Sequence, residues 1–174
     1  NTAWTNVEKA IANLHAAGLM ARERMASARQ DRLARLIRPS GYFNQKAERL
    51  KDVARFLLDN QDVLEKEVDE MRCILLAVKG IGPETADSII LYAARKPSFV
   101  IDAYTRRIMA RLRLAEPDTP HDDLRGMFME ALPPDAERFN EYHALLVEHA
   151  KRHCRAKPLC EGCPLAERCP SALS

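Results

Sequence analysis

Apolar residues recur every three or four positions along most of this chain, and nowhere do they alternate with polar ones at the period of two that marks a strand. Val7, Ala10, Ile11 and Leu14 form one helical face that Gly18 ends, and Thr5 with Glu8 has the spacing of a capping box at its start. Leu33, Leu36 and Ile37 mark a second helix, which stops before Pro39-Ser40-Gly41. A third runs from about Phe43 through Ala47, Leu50, Val53, Ala54 and Leu57. A short helix from about Asp69 to Ala77 is broken by Gly80 and Gly82. Pro83 then restarts one at the first-turn position, where a missing N–H is harmless. Ala86, Ile89, Ile90 and Ala93 are the expected buried face, so residues 69–95 read as helix, hairpin, helix. A brief extended piece, Ser98 to Ile101, leads to Asp102 and a helix carrying Ile108 and Leu112. Thr119-Pro120 opens another helix that ends at Pro133-Pro134, and the last long one runs from about Asp135 to His153. The predicted fold class is all-α, with no internal repeat or low-complexity tract.

Composition agrees with the pattern. Hydrophobic residues at 47% beside 30% charged and 6% aromatic describe a soluble helical protein, and no apolar run nears the roughly 20 residues of a membrane span, so no membrane partner is expected. A net charge of +2 identifies no partner, but its distribution says more. Arg22, Arg24, Arg29, Arg32, Arg35 and Arg38 face only Glu23 and Asp31, while Lys151, Arg152, Arg155, Lys157 and Arg168 surround a group of cysteines. Both stretches are suited to follow a phosphate backbone, the first being equally well explained as a solvated helix face.

Those cysteines are spaced Cys154-x5-Cys160-x2-Cys163-x5-Cys169 in a loop punctuated by Pro158, Pro164 and Pro170. Structural zinc sites pair two short knuckles, whereas one Cys-x2-Cys between two longer arms suits a larger group, a 4Fe-4S cluster that organises the loop. Arg155 and Lys157, between the first two ligands, would be held for phosphate contact, while His149 and His153 read as surface or packing residues. Metal-ligand spacing with Cys73 left over predicts a reducing compartment, the cytoplasm, with association to the nucleoid. The chain opens at Asn1 without an initiator Met, and a further N-terminal segment is expected before it. In Lys79-Gly80-Ile81-Gly82 the glycines permit positive φ and bring bare N–H groups to an anion; alone this is also an ordinary interhelical turn. Asp102, opening a helix downstream of it, is either a cap or a catalytic carboxylate, and the two are compatible.

Leu76-Ala77-Val78-Lys79-Gly80-Ile81-Gly82-Pro83-Glu84-Thr85-Ala86, then Val100-Ile101-Asp102, then the cysteine loop, resembles the helix-hairpin-helix DNA glycosylases of the endonuclease III type over nearly the whole chain. Arg38 to Ala47, with Lys79 to Gly82 and Ala86-Asp87-Ser88-Ile89, is most similar to the 3-methyladenine glycosylase branch. The resemblance implies two helical lobes with a DNA cleft between them. One is a six-helix-barrel-like lobe over 1–133, and the other a partial iron-sulfur lobe over 134–174 whose N-terminal part would precede Asn1. It implies a catalytic aspartate at Asp102, a base-pocket tryptophan at Trp4, a duplex wedge at Tyr42 and hairpin contacts from Lys79, Gly80, Ile81 and Gly82. Bifunctional members carry a Schiff-base lysine two residues after the second hairpin glycine, where this chain has Glu84. The expectation is a monomeric, monofunctional glycosylase that removes a damaged, alkylated purine flipped from double-stranded DNA. The alternatives are an oxidised-pyrimidine glycosylase with lyase activity and a non-catalytic iron-sulfur DNA-binding module.

Overall fold

A computed structural model describes residues 3–172, and among them the regular structure is entirely helical. The α-helices are α1 (Trp4–Ala16), α2 (Arg22–Ser27), α3 (Gln30–Leu36), α4 (Phe43–Asp59), α5 (Val68–Leu76), α6 (Pro83–Ser88), α7 (Ala103–Arg111), α8 (His121–Ala131) and α9 (Ala136–Arg152). The chain divides into two compact units, Asn1–Val63 with Ala77–Gly80, and Leu64–Leu76 with Ile81–Ser174. Helices α5 to α9 all fall in the second of these units.

In the first unit, α1, α3 and α4 bury Ala10, Leu14, Leu33, Ile37 and Ala47, with Phe43 and Leu50 packed against them. Burial of side chains such as Leu33 contributes about 1.5–3 kcal/mol each. The capping box expected at Thr5 and Glu8 does not form. Asn6 N–H already donates to Ala3 O at 2.9 Å, so the helix starts ahead of Thr5 with Ala3 as an N-cap that makes no side-chain bond. Gly18 ends α1 as expected, at φ +70°. The apolar pattern did not announce α2, a helix with no buried residue that packs on α4, where Arg22 donates to Leu57 O at 3.2 Å.

The second unit is built on aromatic residues. Phe99 stacks on Phe128 with centroids 4.0 Å apart and meets Phe139 edge-on at 5.5 Å. Leu91, Val100, Ile101, Met109 and Leu124 complete this core. Beside it lies a buried ionic knot. Asp87, fully enclosed, takes Arg72 Nε at 2.9 Å, the Ser98 hydroxyl at 2.7 Å and Arg125 Nε at 3.2 Å. Arg72 also reaches Asp122. The knot joins α5, α6, α8 and the segment before Asp102.

The helix restarted at Pro83 is not α-helical to its end. Ile89–Ala93 makes a π turn, which adds residues per turn and rotates the following face. Ala93, expected inside, is therefore exposed, and Leu91 is buried in its place.

Candidate active site and cysteine loop

Asp102 is positioned by what precedes it. Phe99, Val100 and Ile101 are buried, which pins an extended segment whose last residue, at φ −99° and ψ 179°, is the N-cap of α7. Its Oδ1 accepts the Thr105 N–H at 2.7 Å, satisfying one of the helix's free donors. The carboxylate is largely enclosed, with 15% of its side chain exposed, and Oδ2 lies 3.5 Å from His143 Nε2. Tyr92 Oη stands 2.7 Å from the other ring nitrogen of His143, Nδ1.

The ionisation states of this group are pushed apart. Burial alone would raise the Asp102 pKa, but His143 and the Thr105 N–H outweigh it and hold the carboxyl below its ordinary value. Glu84, on the first turn of α6, moves the other way, raised by partial burial and by the negative charge of Asp102. Tyr92 is likewise raised, by burial and then by Asp102, so its phenol stays protonated. Neighbouring carboxyls separated in this way offer one fixed anion and one group that more readily carries a proton. His143 and Tyr92 escaped the sequence reading. His143 lies far along the chain on α9, and Tyr92 reaches it on a turn whose π register no apolar periodicity reveals.

The other predicted residues fall as follows. In the first unit Trp4, at the start of α1, is 61% exposed, and Tyr42 is 74% exposed. Tyr42 is also the N-cap of α4 with φ +47°, a left-handed conformation that costs a non-glycine residue about 1–2 kcal/mol. Lys79 is exposed, and Gly80 has φ +90°, where a Cβ would meet the Arg49 side chain at 3.1 Å. Ile81 is buried, anchoring the turn, while Gly82 is exposed and extended as the N-cap of α6. Cys73 is exposed on α5.

Cys154, Cys160, Cys163 and Cys169 all line one cavity, together with Ile108, Arg111 and Leu112 of α7 and its end. Among the described residues no three His, Cys, Asp or Glu side chains converge tightly enough to hold a single metal ion. The loop is held by α7. Arg107 Nε donates to Cys154 O at 2.8 Å, and Arg111 donates to Cys154 Sγ at 3.2 Å, Arg155 O at 2.6 Å and Ala156 O at 2.9 Å. One helix is thus capped by the enclosed carboxylate and carries, further along, the arginines that secure the cysteine loop. Arg155 and Lys157 are exposed on that loop, with Arg155 Nε bonded to Lys151 O at 2.7 Å. His149 Nε2 is 4.0 Å from Cys163 Sγ.

Residues 1–134 match the family described as HhH-GPD superfamily base excision DNA repair protein. A protein of Methanocaldococcus jannaschii whose name assigns it to the DNA repair glycosylases is 44% identical over 163 residues, covering 90% of this chain and 74% of its own length. Endonuclease III of Sulfolobus acidocaldarius is 31% identical over 121 residues, which cover 70% of this chain and 53% of the relative. Among solved structures, the H. pylori 3-methyladenine DNA glycosylase bound to 1,N6-ethenoadenine has a TM-score of 0.74 at 28% identity, over 87% of this chain and 80% of that one. No helix among the described residues is long and apolar enough to cross a membrane.

Proposed function

The chain belongs to the HhH-GPD superfamily of base excision DNA repair proteins, and on that premise we propose that it is a monofunctional DNA glycosylase acting on alkylated purines in duplex DNA. The observation that carries the proposal is the pairing of Asp102 with Glu84. Asp102 is an enclosed carboxylate kept ionised, and Glu84 occupies the place where a lyase would need an amine. An N-alkylated purine is cationic and leaves readily, so the protein's task is to stabilise the sugar as positive charge develops and to align water. A fixed anion does the first, and a lone pair of Oδ2 turned away from His143 serves the second. Glu84 cannot form an imine, so base loss is not followed by strand cleavage.

Trp4 and Tyr42 are proposed as stacking and wedge groups for DNA. Both are exposed aromatics, and the backbone strain at Tyr42 is of the kind kept where a side chain must be presented outward. Lys79 with the hairpin amides, and Arg155 with Lys157, are the proposed phosphate contacts. The four cysteines are the proposed holders of a 4Fe-4S cluster, which when bound would stiffen the loop bearing Arg155 and Lys157. The purified protein is therefore expected to show broad visible absorbance that substitution of Cys160 and Cys163 by Ser removes. A colourless protein containing zinc would refute the cluster.

The deciding experiment incubates the protein with DNA methylated by dimethyl sulfate and with oxidised DNA, identifies released bases by mass spectrometry, and attempts borohydride trapping on each. Release of methylated purines with no trapped adduct is expected. Trapping on oxidised DNA would favour the lyase reading suggested by the endonuclease III relatives, and no base release from either DNA would favour a non-catalytic module.

A further inference from the structure

The geometry around Asp102 points to a positioning residue: we propose that His143, held in one tautomer by Tyr92, aims its Nε2 proton at Asp102 Oδ2 and sets the orientation of the catalytic carboxylate. The inference rests on the reading of Asp102 as catalytic.

Three contacts carry it. The Tyr92 hydroxyl stands 2.7 Å from His143 Nδ1, and with the phenol as donor at that contact a ring proton is left on Nε2, the nitrogen that faces Asp102. The opposite tautomer would set a nitrogen lone pair against a carboxylate oxygen. Nε2 is buried without a hydrogen-bond partner, and the nearest acidic group is Asp102 Oδ2 at 3.5 Å. That distance is too long for a formed hydrogen bond, and a small movement of either side chain closes it. At the other oxygen, Oδ1 is already locked by the Thr105 N–H at 2.7 Å. With one oxygen fixed by the backbone of α7, closure of the His143 contact from α9 onto the second would determine the plane of the carboxylate. The Asp102 charge raises the Glu84 carboxyl of α6, whereas His143 and the Thr105 N–H are the groups that favour the ionised Asp102. The π turn at Ile89–Ala93 also gains a role, since its altered register is what brings the Tyr92 hydroxyl to His143.

The test is single-turnover release of 3-methyladenine from dimethyl-sulfate-treated DNA across pH. It compares the full chain with His143→Ala, His143→Gln and Tyr92→Phe, and with Asp102→Asn as reference. His143→Ala is expected to lose up to about 10²-fold in rate, the scale of a misplaced catalytic group, with DNA affinity and unfolding midpoint near the parent's. Its acid limb should move to higher pH: removing the N–H that favours the ionised carboxylate raises the Asp102 pKa, so activity is lost earlier on acidification. His143→Gln, whose amide can present an N–H close to the Nε2 position, should recover most of the rate, and Tyr92→Phe should fall between. An inactive Asp102→Asn beside a fully active His143→Ala with an unmoved acid limb would overturn the role of His143 and leave that of Asp102 intact. Equal losses in His143→Ala and His143→Gln, with weaker DNA binding and a lower unfolding midpoint, would reduce His143 to packing. A fully active Asp102→Asn would overturn the underlying reading itself.

Discussion

Asp102→Asn is expected to lower single-turnover base release by about 10²–10³-fold while leaving folding and DNA affinity unchanged, a change in barrier of about 3–4 kcal/mol. The substitution separates the two roles of this residue. An Asn side-chain oxygen caps a helix about as well as Asp, so the bond to the Thr105 N–H survives and α7 keeps its start. What disappears is the charge. In an enclosed site a fixed anion opposite a developing oxocarbenium stabilises it without reorganisation, and a neutral amide cannot. Rapid-quench measurement of base release, beside a binding isotherm on undamaged duplex, distinguishes the outcomes. A rate within threefold of the parent's would eliminate Asp102 as the catalytic group.

Asp87→Ala is the substitution with the largest expected effect on stability, about 3–5 kcal/mol. Asp87 is fully buried, and its removal leaves the guanidiniums of Arg72 and Arg125, 13% and 15% exposed, without their shared counter-ion. Arg72 keeps the exposed Asp122 and Arg125 keeps the Ser98 hydroxyl, but neither replaces the buried charge, and a buried cation that loses its partner costs far more than the intact knot contributes because the desolvation is already incurred. Domains of this size hold only about 5–15 kcal/mol in total, so the variant should unfold at markedly lower denaturant, and catalysis should suffer with it. The Ser98 hydroxyl bonded to Asp87 lies just ahead of Phe99, Val100 and Ile101, the buried run that ends at Asp102. Equilibrium urea unfolding measures the loss, and a decrease below 1 kcal/mol would mean that the arginines find other partners or water.

Much of the fold was legible along the chain because its determinants are local. The apolar steps of α4, the glycines and proline between α5 and α6, and the Asp that caps α7 each act on residues within one or two turns. The grouping of the four cysteines was legible for the same reason, since side chains in one short loop share a cavity wherever that loop packs. The misreadings were also physical. The capping box at Thr5 failed because the Ala3 carbonyl begins the hydrogen-bonded turn earlier, and Ala93 was misassigned because a 3.6-residue period cannot anticipate a π turn. Nothing in the string marked Asp87 as the centre of a buried ionic knot, although it sits within the family-like stretch Ala86 to Ile89.

The amino-acid sequence on its own determined the helical class, the hairpin, the cysteine loop and the identity of one candidate carboxylate, because each depends on spacing or on bonds between near neighbours. Only the tertiary structure decided the surroundings of that carboxylate: His143 from α9 faces Asp102, Tyr92 from the π turn stands behind His143, and Glu84 from α6 lies near enough to feel the Asp102 charge. Proton positions and charge balance are properties of that meeting. They depend on burial and on distances of a few ångströms between residues remote in the chain, quantities that residue order alone does not contain.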